Sequence, residues 1–414
     1  PFTQPGRGPA PIPVRRGHGV WLELDDGRRL IDGISSWWVT LHGHGEPCIA
    51  EAIGHQAKEL EQVIFANFRH GPASTLSTRL CGLWDGLDRM FFSDNGSTAV
   101  EVGLKMAWQH CQREAPERQQ VIAFNGAYHG DTFGAMALGE RGLFSAPFEP
   151  LLFQVARAPW PATWWGDQEI EQKEAEALKR LDELLQTPTA AVIFEPLLQG
   201  AGGMAMVRET FLQAVEQRVR SAGALVIADE VLTGFGRSGS LFACHRAGIR
   251  PDIVSLSKGL TAGFLPMGVT LASEALYQSF VGPEPDRTFF HGHSFTANPL
   301  GCAAAVASLD LLEREPHRYL TIEARHRPHL ERLAKHELVT KPRLMGGIAA
   351  FELPGDSGYL QPIGLEVQRL ALAEGLFIRP LGSVVYLMPP LGINDDELAQ
   401  CYSGLEAVLD GLPL

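Results

Sequence analysis

The stretch Ser255-Leu256-Ser257-Lys258-Gly259 places a lysine directly after a short apolar run that is typical of a buried strand. Small residues surround this lysine, so its ammonium can be held away from water, which favours the neutral, nucleophilic amine. Such a lysine suits Schiff-base chemistry. A solvated loop lysine is the simpler interpretation of this stretch alone, and the residues upstream decide between the two.

Apolar runs without polar alternation recur upstream and downstream of Lys258, and helical patterns separate them. Runs of this kind are typical of strands that are buried on both faces, and intervening helices favour a mostly parallel sheet. The predicted strands lie at 89–92, 121–124, 191–194, 224–228, 252–256 and 267–271. The sequence therefore predicts an α/β protein with a mostly parallel central sheet in a large domain.

The two ends of the chain have a different pattern. Alternation, an Asp-Gly turn and a second apolar run predict a hairpin over 20–31. In the last hundred residues we predict helices over 316–336, 363–373 and 395–410 and short strands over 348–353, 377–378 and 384–387. We expect a large domain over 36–314 and a smaller α+β domain built from 1–35 and 315–414.

Composition and charge exclude several functions. The chain has 414 residues, of which 45% are hydrophobic and 20% charged, as in ordinary globular proteins with a large core. A net charge of −13 argues against a nucleic-acid surface, and no apolar run is long enough for a membrane span. Six scattered cysteines without a CxxC pair predict reduced thiols and a cytoplasmic location.

The segment Asn95-Gly96-Ser97-Thr98 follows a predicted strand and begins a helical pattern. The N–H groups of a first helical turn have no partner within the helix, and they lie at the positive end of the helix dipole. They form an anion site whose usual occupant is phosphate. A plain Ser/Thr helix cap explains the same residues equally well.

An acidic residue, Asp229, ends another apolar run. A carboxylate at the carboxyl end of a buried strand lies where α/β sheets bind ligands, and it is costly there unless a cation pairs with it. A protonated pyridine nitrogen would be such a partner. A helix cap or a structural ion pair is the alternative.

Two more loops carry groups that could bind a ligand. Tyr128 and His129 follow a predicted strand and offer an aromatic ring and an imidazole, whereas 291–294 precedes a helix and could bind a second phosphate oxygen. The G-x-G-x-x-G match at 234–239 lacks the downstream acid of a dinucleotide site. The His-Gly-His pairs at 42–44 and 291–293 lack zinc spacing, so we expect no metal.

A phosphate cradle, a buried acid, a ring-stacking tyrosine and a strand-end lysine together describe a pocket for pyridoxal 5'-phosphate. The order of these elements resembles the fold-type I, class III (ω-) aminotransferases over nearly the whole chain. Three longer blocks, at 35–38, 128–136 and 378–390, are similar to the branch of that class that acts in biotin synthesis.

The resemblance implies an activity. It implies ping-pong transamination of 8-amino-7-oxononanoate to 7,8-diaminononanoate, with S-adenosylmethionine as the amino donor and lysine as the donor in some members. One alternative is another class III enzyme that acts on an ω-amino acid such as ornithine or 4-aminobutyrate. The other is glutamate-1-semialdehyde aminomutase, an isomerase that needs no external donor.

The resemblance also assigns roles around the cofactor. Lys258 would bind the cofactor's aldehyde covalently and then act as the base and acid that move a proton. Asp229 would keep the ring nitrogen protonated, and Tyr128 would stack on or border the ring. Gly96 and Ser97 would bind the phosphate.

Further roles follow from the same resemblance for substrate and partner subunit. Gly292, His293 and Ser294 would reach the phosphate of the cofactor in the neighbouring subunit, which implies a homodimer with its active sites at the interface. The family commonly has Gly-Pro-Thr here, but the hydroxyl is retained. Arg379 would pair in bidentate fashion with the keto-acid carboxylate, and Trp37 would form a wall of the substrate channel.

Three pocket residues complete the prediction. Asp131 would lie near the substrate amine, and Tyr386 would contribute to the pocket. Phe2 stands where the family has a tyrosine that contacts substrate, so this chain keeps the ring and loses the hydroxyl. This change leaves the donor open between S-adenosylmethionine and lysine. Because the sequence begins at Pro1 inside this motif, we expect further residues upstream.

Overall fold

A seven-stranded sheet forms the centre of the computed structural model, which describes residues 11–355 and 361–412. In spatial order its strands are Arg89–Ser93, Gly268–Ala272, Ile253–Leu256, Leu225–Asp229, Thr189–Phe194, Gln120–Phe124 and Ala156–Ala158. Gly268–Ala272 is antiparallel to both of its neighbours, and the other adjacent pairs are parallel. The predicted mostly parallel sheet is confirmed.

Both faces of this sheet are covered. Along the strands, Val192 and Val226 belong to one buried apolar cluster, whereas their neighbours Ile193 and Ile227 belong to a second. Side chains alternate between the faces of a strand, so two clusters mean two cores. The α-helices of this part of the chain are Pro47–Glu59, Gly71–Gly82, Gly96–Glu114, Phe133–Leu138, Ile170–Leu184, Glu209–Ser221, Ala243–Ala247, Glu274–Gln278 and Pro299–Arg314. Short 3₁₀ turns lie at Ala146–Leu151, Lys258–Thr261 and Pro285–Arg287.

Smaller sheets contain the two ends of the chain. One has the order Val14–His18, Trp21–Leu24, Arg29–Asp32 and Leu376–Phe377; a second has the order Thr340–Met345, Ile348–Glu352 and Val384–Leu387; a third pairs Leu198–Gln199 with Ala205–Met206. The predicted hairpin over 20–31 is confirmed by the antiparallel pairing of its strands. Because Leu376–Phe377 joins it, residues from both chain ends share one sheet.

The helices after residue 315 are His317–Leu320, Ile322–Leu333, Pro362–Ala373 and Asp395–Asp410. The single helix predicted over 316–336 is wrong, because the chain breaks it at Thr321. The Thr321 hydroxyl donates to the His317 carbonyl at 2.7 Å, beside the Thr321 N–H, which donates to the same oxygen at 3.0 Å.

A left-handed turn, Ser35–Trp38, follows the N-terminal hairpin. Its four residues have φ values of 50°, 48°, 79° and 74°, and none of them is glycine. The left-handed conformation costs an L residue roughly 1–2 kcal/mol. Other contacts of the turn must therefore offset several kcal/mol of strain, and strain of this kind is often found at functional sites.

Two further observations concern the whole chain. All six cysteines are unpaired thiols. Within residues 11–355 and 361–412, no helix is both long enough and apolar enough to cross a membrane.

Candidate active site

Register places the predicted lysine and the predicted acid at the same edge of the central sheet. Asp229, the last residue of its strand, lies opposite Ser255 on the parallel neighbour, three residues before Lys258. Lys258 begins the turn that leaves the sheet, with a left-handed φ of 43°. The preceding Ser257 anchors this turn, since its hydroxyl donates to the Met267 carbonyl at 2.6 Å.

This edge opens into a cavity of about 590 Å³. Loops that follow several strands form its wall, as expected for ligand sites at the carboxyl ends of parallel strands. Six of the predicted residues line it: Gly96, Ser97, Tyr128, Asp131, Asp229 and Lys258. The structure thus brings together the residues that the sequence analysis assigned to cofactor chemistry.

Asp229 is almost fully buried in the cavity wall, with 3% of its surface exposed. One carboxylate oxygen lies 2.7 Å from His129 Nδ1, and the other accepts the Val231 N–H at 3.1 Å. The imidazole thus holds the carboxylate in a fixed orientation. This pair partly matches the alternative of a structural ion pair, yet both residues also face the cavity.

A second acidic residue, Glu195, lies beside this pair and was missed by the sequence analysis. Its carboxylate accepts the backbone N–H of Tyr128 at 3.1 Å and that of Gly200 at 3.0 Å. Burial raises the pKa of Glu195 to about 7; the charge on His129 opposes the rise, and the charge on Asp229 adds to it. The signal was available, because Glu195, like Asp229, follows an apolar strand.

The surroundings of Lys258 favour its neutral amine. Burial lowers the pKa of Lys258. The Asp229 and Glu195 carboxylates oppose this lowering, whereas the Arg237 guanidinium adds to it. The ammonium nitrogen Nζ lies 4.8 Å from the ring centroid of Trp38, a second cavity residue that the sequence analysis did not single out.

The phosphate cradle is built at the start of helix Gly96–Glu114. Asn95, rather than Ser97 or Thr98, is the cap: its side chain accepts the Thr98 N–H at 3.0 Å, and Thr98 bonds back to the Asn95 N–H at 3.1 Å. Because Asn95 caps the helix, the Ser97 hydroxyl is not needed for that purpose. The alternative of a helix cap thus accounts for Asn95 and Thr98 but not for Ser97.

Close backbone approach shapes this end of the cavity. Ser97 Oγ accepts the Asp131 N–H at 3.2 Å, which fixes the loop after Tyr128 against the helix. Gly130 has a φ of 135°, and a Cβ there would lie 2.1 Å from Ser97 Oγ. A glycine is thus required for the loop and the helix to meet.

Tyr128 forms the cavity wall near the Asp229 and Glu195 carboxylates, and 40% of its surface is exposed. Burial raises the pKa of its hydroxyl, and the neighbouring Asp131 carboxylate adds to the rise through charge and a hydrogen bond. The tyrosine therefore stays neutral and can present its ring to a ligand.

The predicted substrate residues lie around the left-handed turn. The guanidinium carbon of Arg379 lies 4.4 Å from the ring centroid of Trp37, and both side chains are exposed. Tyr386 is buried behind this layer, where its hydroxyl accepts the Trp38 indole N–H at 3.0 Å. Tyr386 is not part of the cavity surface, so its contact with substrate stays a prediction.

Of the predicted residues that the structure describes, six do not line the cavity: Trp37, Arg379, Tyr386, Gly292, His293 and Ser294. Gly292, His293 and Ser294 lie on a separate loop, where His293 Nδ1 is 3.1 Å from an Asp94 carboxylate oxygen. A Cβ added at Gly292 would have no neighbour within 4 Å. Phe2 lies outside the described residues.

The site fits pyridoxal 5'-phosphate at three points. The cradle at Gly96 and Ser97 suits a phosphate, the buried Asp229 suits a protonated ring nitrogen, and the amine of Lys258 suits an aldehyde. Across the described residues, no group of three or more His, Cys, Asp or Glu side chains could hold a metal ion.

The family model for aminotransferase class-III matches residues 2–409. The chain therefore belongs to the class III aminotransferases, a class that depends on pyridoxal 5'-phosphate and acts on small-molecule substrates. It is 56% identical, over 99% of its length and 97% of the relative's, to adenosylmethionine-8-amino-7-oxononanoate aminotransferase of Synechococcus elongatus. The protein of the same name from Geobacter sulfurreducens is 40% identical over 98% of this chain and 94% of the relative.

Solved structures agree with this assignment. Adenosylmethionine-8-amino-7-oxononanoate aminotransferase from Methanocaldococcus jannaschii superimposes with a TM-score of 0.92 at 31% identity, covering 100% of this chain and 97% of that one. A PLP-bound amine transaminase from an uncultivated Pseudomonas species also has a TM-score of 0.92, at 29% identity, covering 99% and 98% of the two chains. The predicted fold-type I, class III architecture is confirmed.

Proposed function

We propose that this chain is the aminotransferase that converts 8-amino-7-oxononanoate to 7,8-diaminononanoate in biotin synthesis, with S-adenosylmethionine as amino donor and pyridoxal 5'-phosphate as cofactor. The observation that carries the reaction class is the placement of Lys258 and Asp229 on one cavity at one sheet edge. The substrate is supported by full-length similarity to relatives that bear the name of this activity.

The bound cofactor supplies an electron sink for the carbon that carries the transferred amino group. The chain supplies the proton chemistry around it. Lys258, whose pKa is lowered by burial, would act as a base that takes a proton from that carbon and then as an acid that donates it to a neighbouring atom. Asp229, oriented by His129, would stabilise a proton on the ring nitrogen, and the first-turn N–H groups of Gly96 and Ser97 would hold the phosphate.

Substrate recognition is assigned to Arg379 and to the left-handed turn Ser35–Trp38. Arg379 presents its guanidinium above Trp37, where it can take a carboxylate in bidentate fashion. Trp37 and Tyr128 would each offer an aromatic surface to an aliphatic chain. Asp131, beside the Tyr128 hydroxyl, offers a charge for the substrate amine.

The working enzyme in this proposal is a homodimer in the cytoplasm. The loop 292–294 lies outside its own cavity, which supports a role at the cofactor of the partner subunit. Six unpaired thiols are in keeping with a reducing compartment. We also propose the division into 36–314 and 1–35 with 315–414, supported by the sheet that both chain ends share.

The test is turnover by the purified protein loaded with pyridoxal 5'-phosphate. We expect 7,8-diaminononanoate from 8-amino-7-oxononanoate and S-adenosylmethionine, with lysine, ornithine and 4-aminobutyrate as comparison donors. Failure with every donor would contradict the biotin assignment. Conversion of glutamate-1-semialdehyde without a donor would favour the aminomutase instead.

The reaction class has its own test at the lysine. Lys258→Ala should abolish turnover while the cofactor stays bound non-covalently, as followed by its absorbance. Lys179→Ala, at an exposed position of helix Ile170–Leu184, is the matched control and should leave both unchanged. Retained turnover in the Lys258 variant would refute the role of this residue.

A further inference from the structure

The left-handed turn Ser35–Trp38 contributes an aromatic ring to each of two parts of the site. Trp38 faces the amine of Lys258, at 4.8 Å from Nζ to the ring centroid. Trp37 lies under Arg379, at 4.4 Å from the guanidinium carbon to its ring centroid. The conformation of one short turn therefore sets the position of the reactive end and of the carboxylate-binding end together.

The turn cannot hold this conformation by itself. L side chains other than glycine rarely adopt positive φ, and here four of them do so in succession. Such a segment persists only when its surroundings over-determine it. The restraint must come from residues outside the turn.

One buried carboxylate supplies most of that restraint. Asp32, which has no exposed surface, accepts the backbone N–H groups of Ile34 at 3.3 Å and of Ser36 at 2.9 Å through one oxygen. Its other oxygen accepts the Ser36 hydroxyl at 2.6 Å and lies 2.8 Å from His44 Nε2. A carboxylate can make all four contacts because both of its oxygens accept hydrogen bonds.

A second anchor fixes the turn to the C-terminal strand. The Ser35 hydroxyl donates to the Met388 carbonyl at 2.7 Å, and the Met388 N–H donates to Gly33 O, also at 2.7 Å. These bonds hold Gly33 and Ser35, whereas Asp32 holds Ser36. The two anchors thus act on different parts of the turn.

We propose that Asp32 is a positioning residue for the amino-acceptor substrate, which locks the left-handed turn so that Trp37 and Arg379 meet the acceptor's carboxylate. Asp32 has no exposed surface, so it touches neither substrate nor cofactor. The inference rests on the proposed function only for the name of the acceptor. The same turn would position any keto-acid acceptor.

The first test is Asp32→Asn, assayed as the cofactor-loaded enzyme. An amide keeps one acceptor oxygen and places an uncharged NH2 group at the other position, so the Ser36 hydroxyl can no longer donate there and both contacts on that side lose the charge of the carboxylate. We expect KM for the acceptor to rise about 10-fold or more while kcat changes much less, because small displacements of a binding group are costly. The near-ultraviolet circular dichroism of the tryptophans should change, and the absorbance of the bound cofactor should not.

Glycine rescue separates local strain from general damage. In the Asp32→Asn background, Ser36→Gly should restore much of KM because glycine adopts positive φ without steric cost, whereas Ser36→Ala should not. Asp26→Asn is the matched control in the exposed hairpin turn, and we expect it to behave as the unmodified enzyme. Should Asp32→Asn fail to fold, Ser36→Ala alone removes one of the four contacts and should shift KM in the same direction.

The outcomes are distinct. A wild-type KM together with unchanged tryptophan dichroism in Asp32→Asn and in Ser36→Ala would overturn the positioning role. Equal rescue by alanine and glycine would do the same. If the unmodified protein does not use 8-amino-7-oxononanoate, the proposed function fails. The positioning role of Asp32 is then tested with the keto-acid acceptor that the protein does use and with the tryptophan dichroism.

Discussion

At the scale of single residues, the proton chemistry of the site depends on buried carboxylates. Asp229 and Glu195 end neighbouring strands, and both lie close enough to Lys258 to counteract the lowering of its pKa. Two carboxylates therefore act on the protonation of one buried amine in this cavity.

Glu195 should make stability depend on pH. Its pKa is raised by burial to about 7 from an ordinary value of 4.5, so the folded state holds its proton more tightly than the unfolded state. This contribution to stability is complete below about pH 4.5 and is lost as pH rises towards 7. We expect the Tm of the unmodified protein, measured by calorimetry and compared with that of Glu195→Gln, to fall between pH 4.5 and 7. Above pH 8 the difference in Tm should no longer change.

A matched acid on the surface provides the control for that experiment. Glu176→Gln, at an exposed position of helix Ile170–Leu184, should show no such pH-dependent difference in Tm. A constant offset between Glu195→Gln and the unmodified protein from pH 4.5 to 8 would show that Glu195 does not hold its proton in the fold.

Arg379 should act mainly on binding. Arg379→Ala removes the guanidinium above Trp37, so KM for 8-amino-7-oxononanoate should rise by about 10–100-fold, with a smaller change in kcat. Steady-state kinetics measure both. Arg369→Ala, which removes an exposed arginine paired with Glu366, should leave KM unchanged. An unaltered KM in the Arg379 variant would remove this residue from the substrate site.

At the scale of elements, the site depends on how closely the loop after Tyr128 approaches helix Gly96–Glu114. Gly130→Ala should push the two apart, because the added Cβ would overlap Ser97 Oγ. We expect a loss of stability of about 1–3 kcal/mol, as for other overpacked positions, and weaker retention of pyridoxal 5'-phosphate in dialysis. Gly142→Ala, where an added Cβ meets nothing within 4 Å, is the control. Equal cofactor retention in both variants would contradict this account.

Sequence patterns predicted the elements that follow from local periodicity. Lys258 and Asp229 could be placed together because parallel strands end at one edge, and the same reasoning applied to Glu195 would have found the second acid. The left-handed turn could not be predicted. No glycine marks it, and its conformation depends on Asp32 and on Met388, which is 353 positions beyond Ser35.

Helix boundaries, too, were predicted where the local sequence marks them and missed where it does not. Asp395–Asp410 agrees with its predicted bounds, since Asn394 caps it through a bond with Glu397 that the sequence pattern encodes. The break at Thr321 was missed because neither a glycine nor a proline marks that position.

At the scale of the whole molecule, a dimer with shared active sites predicts that two inactive variants can complement each other. Lys258→Ala inactivates a subunit's own site, whereas Ser294→Glu should repel the phosphate in the partner's site. Mixing the two inactive variants should create hybrid dimers with one intact site, restoring about one quarter of the unmodified activity. Activity and subunit exchange are measured on the same mixture.

Two controls complete that experiment. Each variant incubated alone should stay inactive, and Lys258→Ala mixed with Asp229→Ala should not recover, because both changes affect the subunit's own site. Absence of recovery in the first mixture, with hybrid dimers demonstrated by light scattering and tagged subunits, would contradict a loop that reaches across.

The sheet shared by the two chain ends orders events during synthesis. Strand Arg29–Asp32 leaves the ribosome early, but its parallel neighbour Leu376–Phe377 and the Met388 anchor are made near the end. The nascent chain must therefore carry Trp37 and Trp38 without their final supports while the central sheet assembles. A ribosome stalled before residue 376 would display the lysine and the phosphate cradle without the wall that receives the substrate.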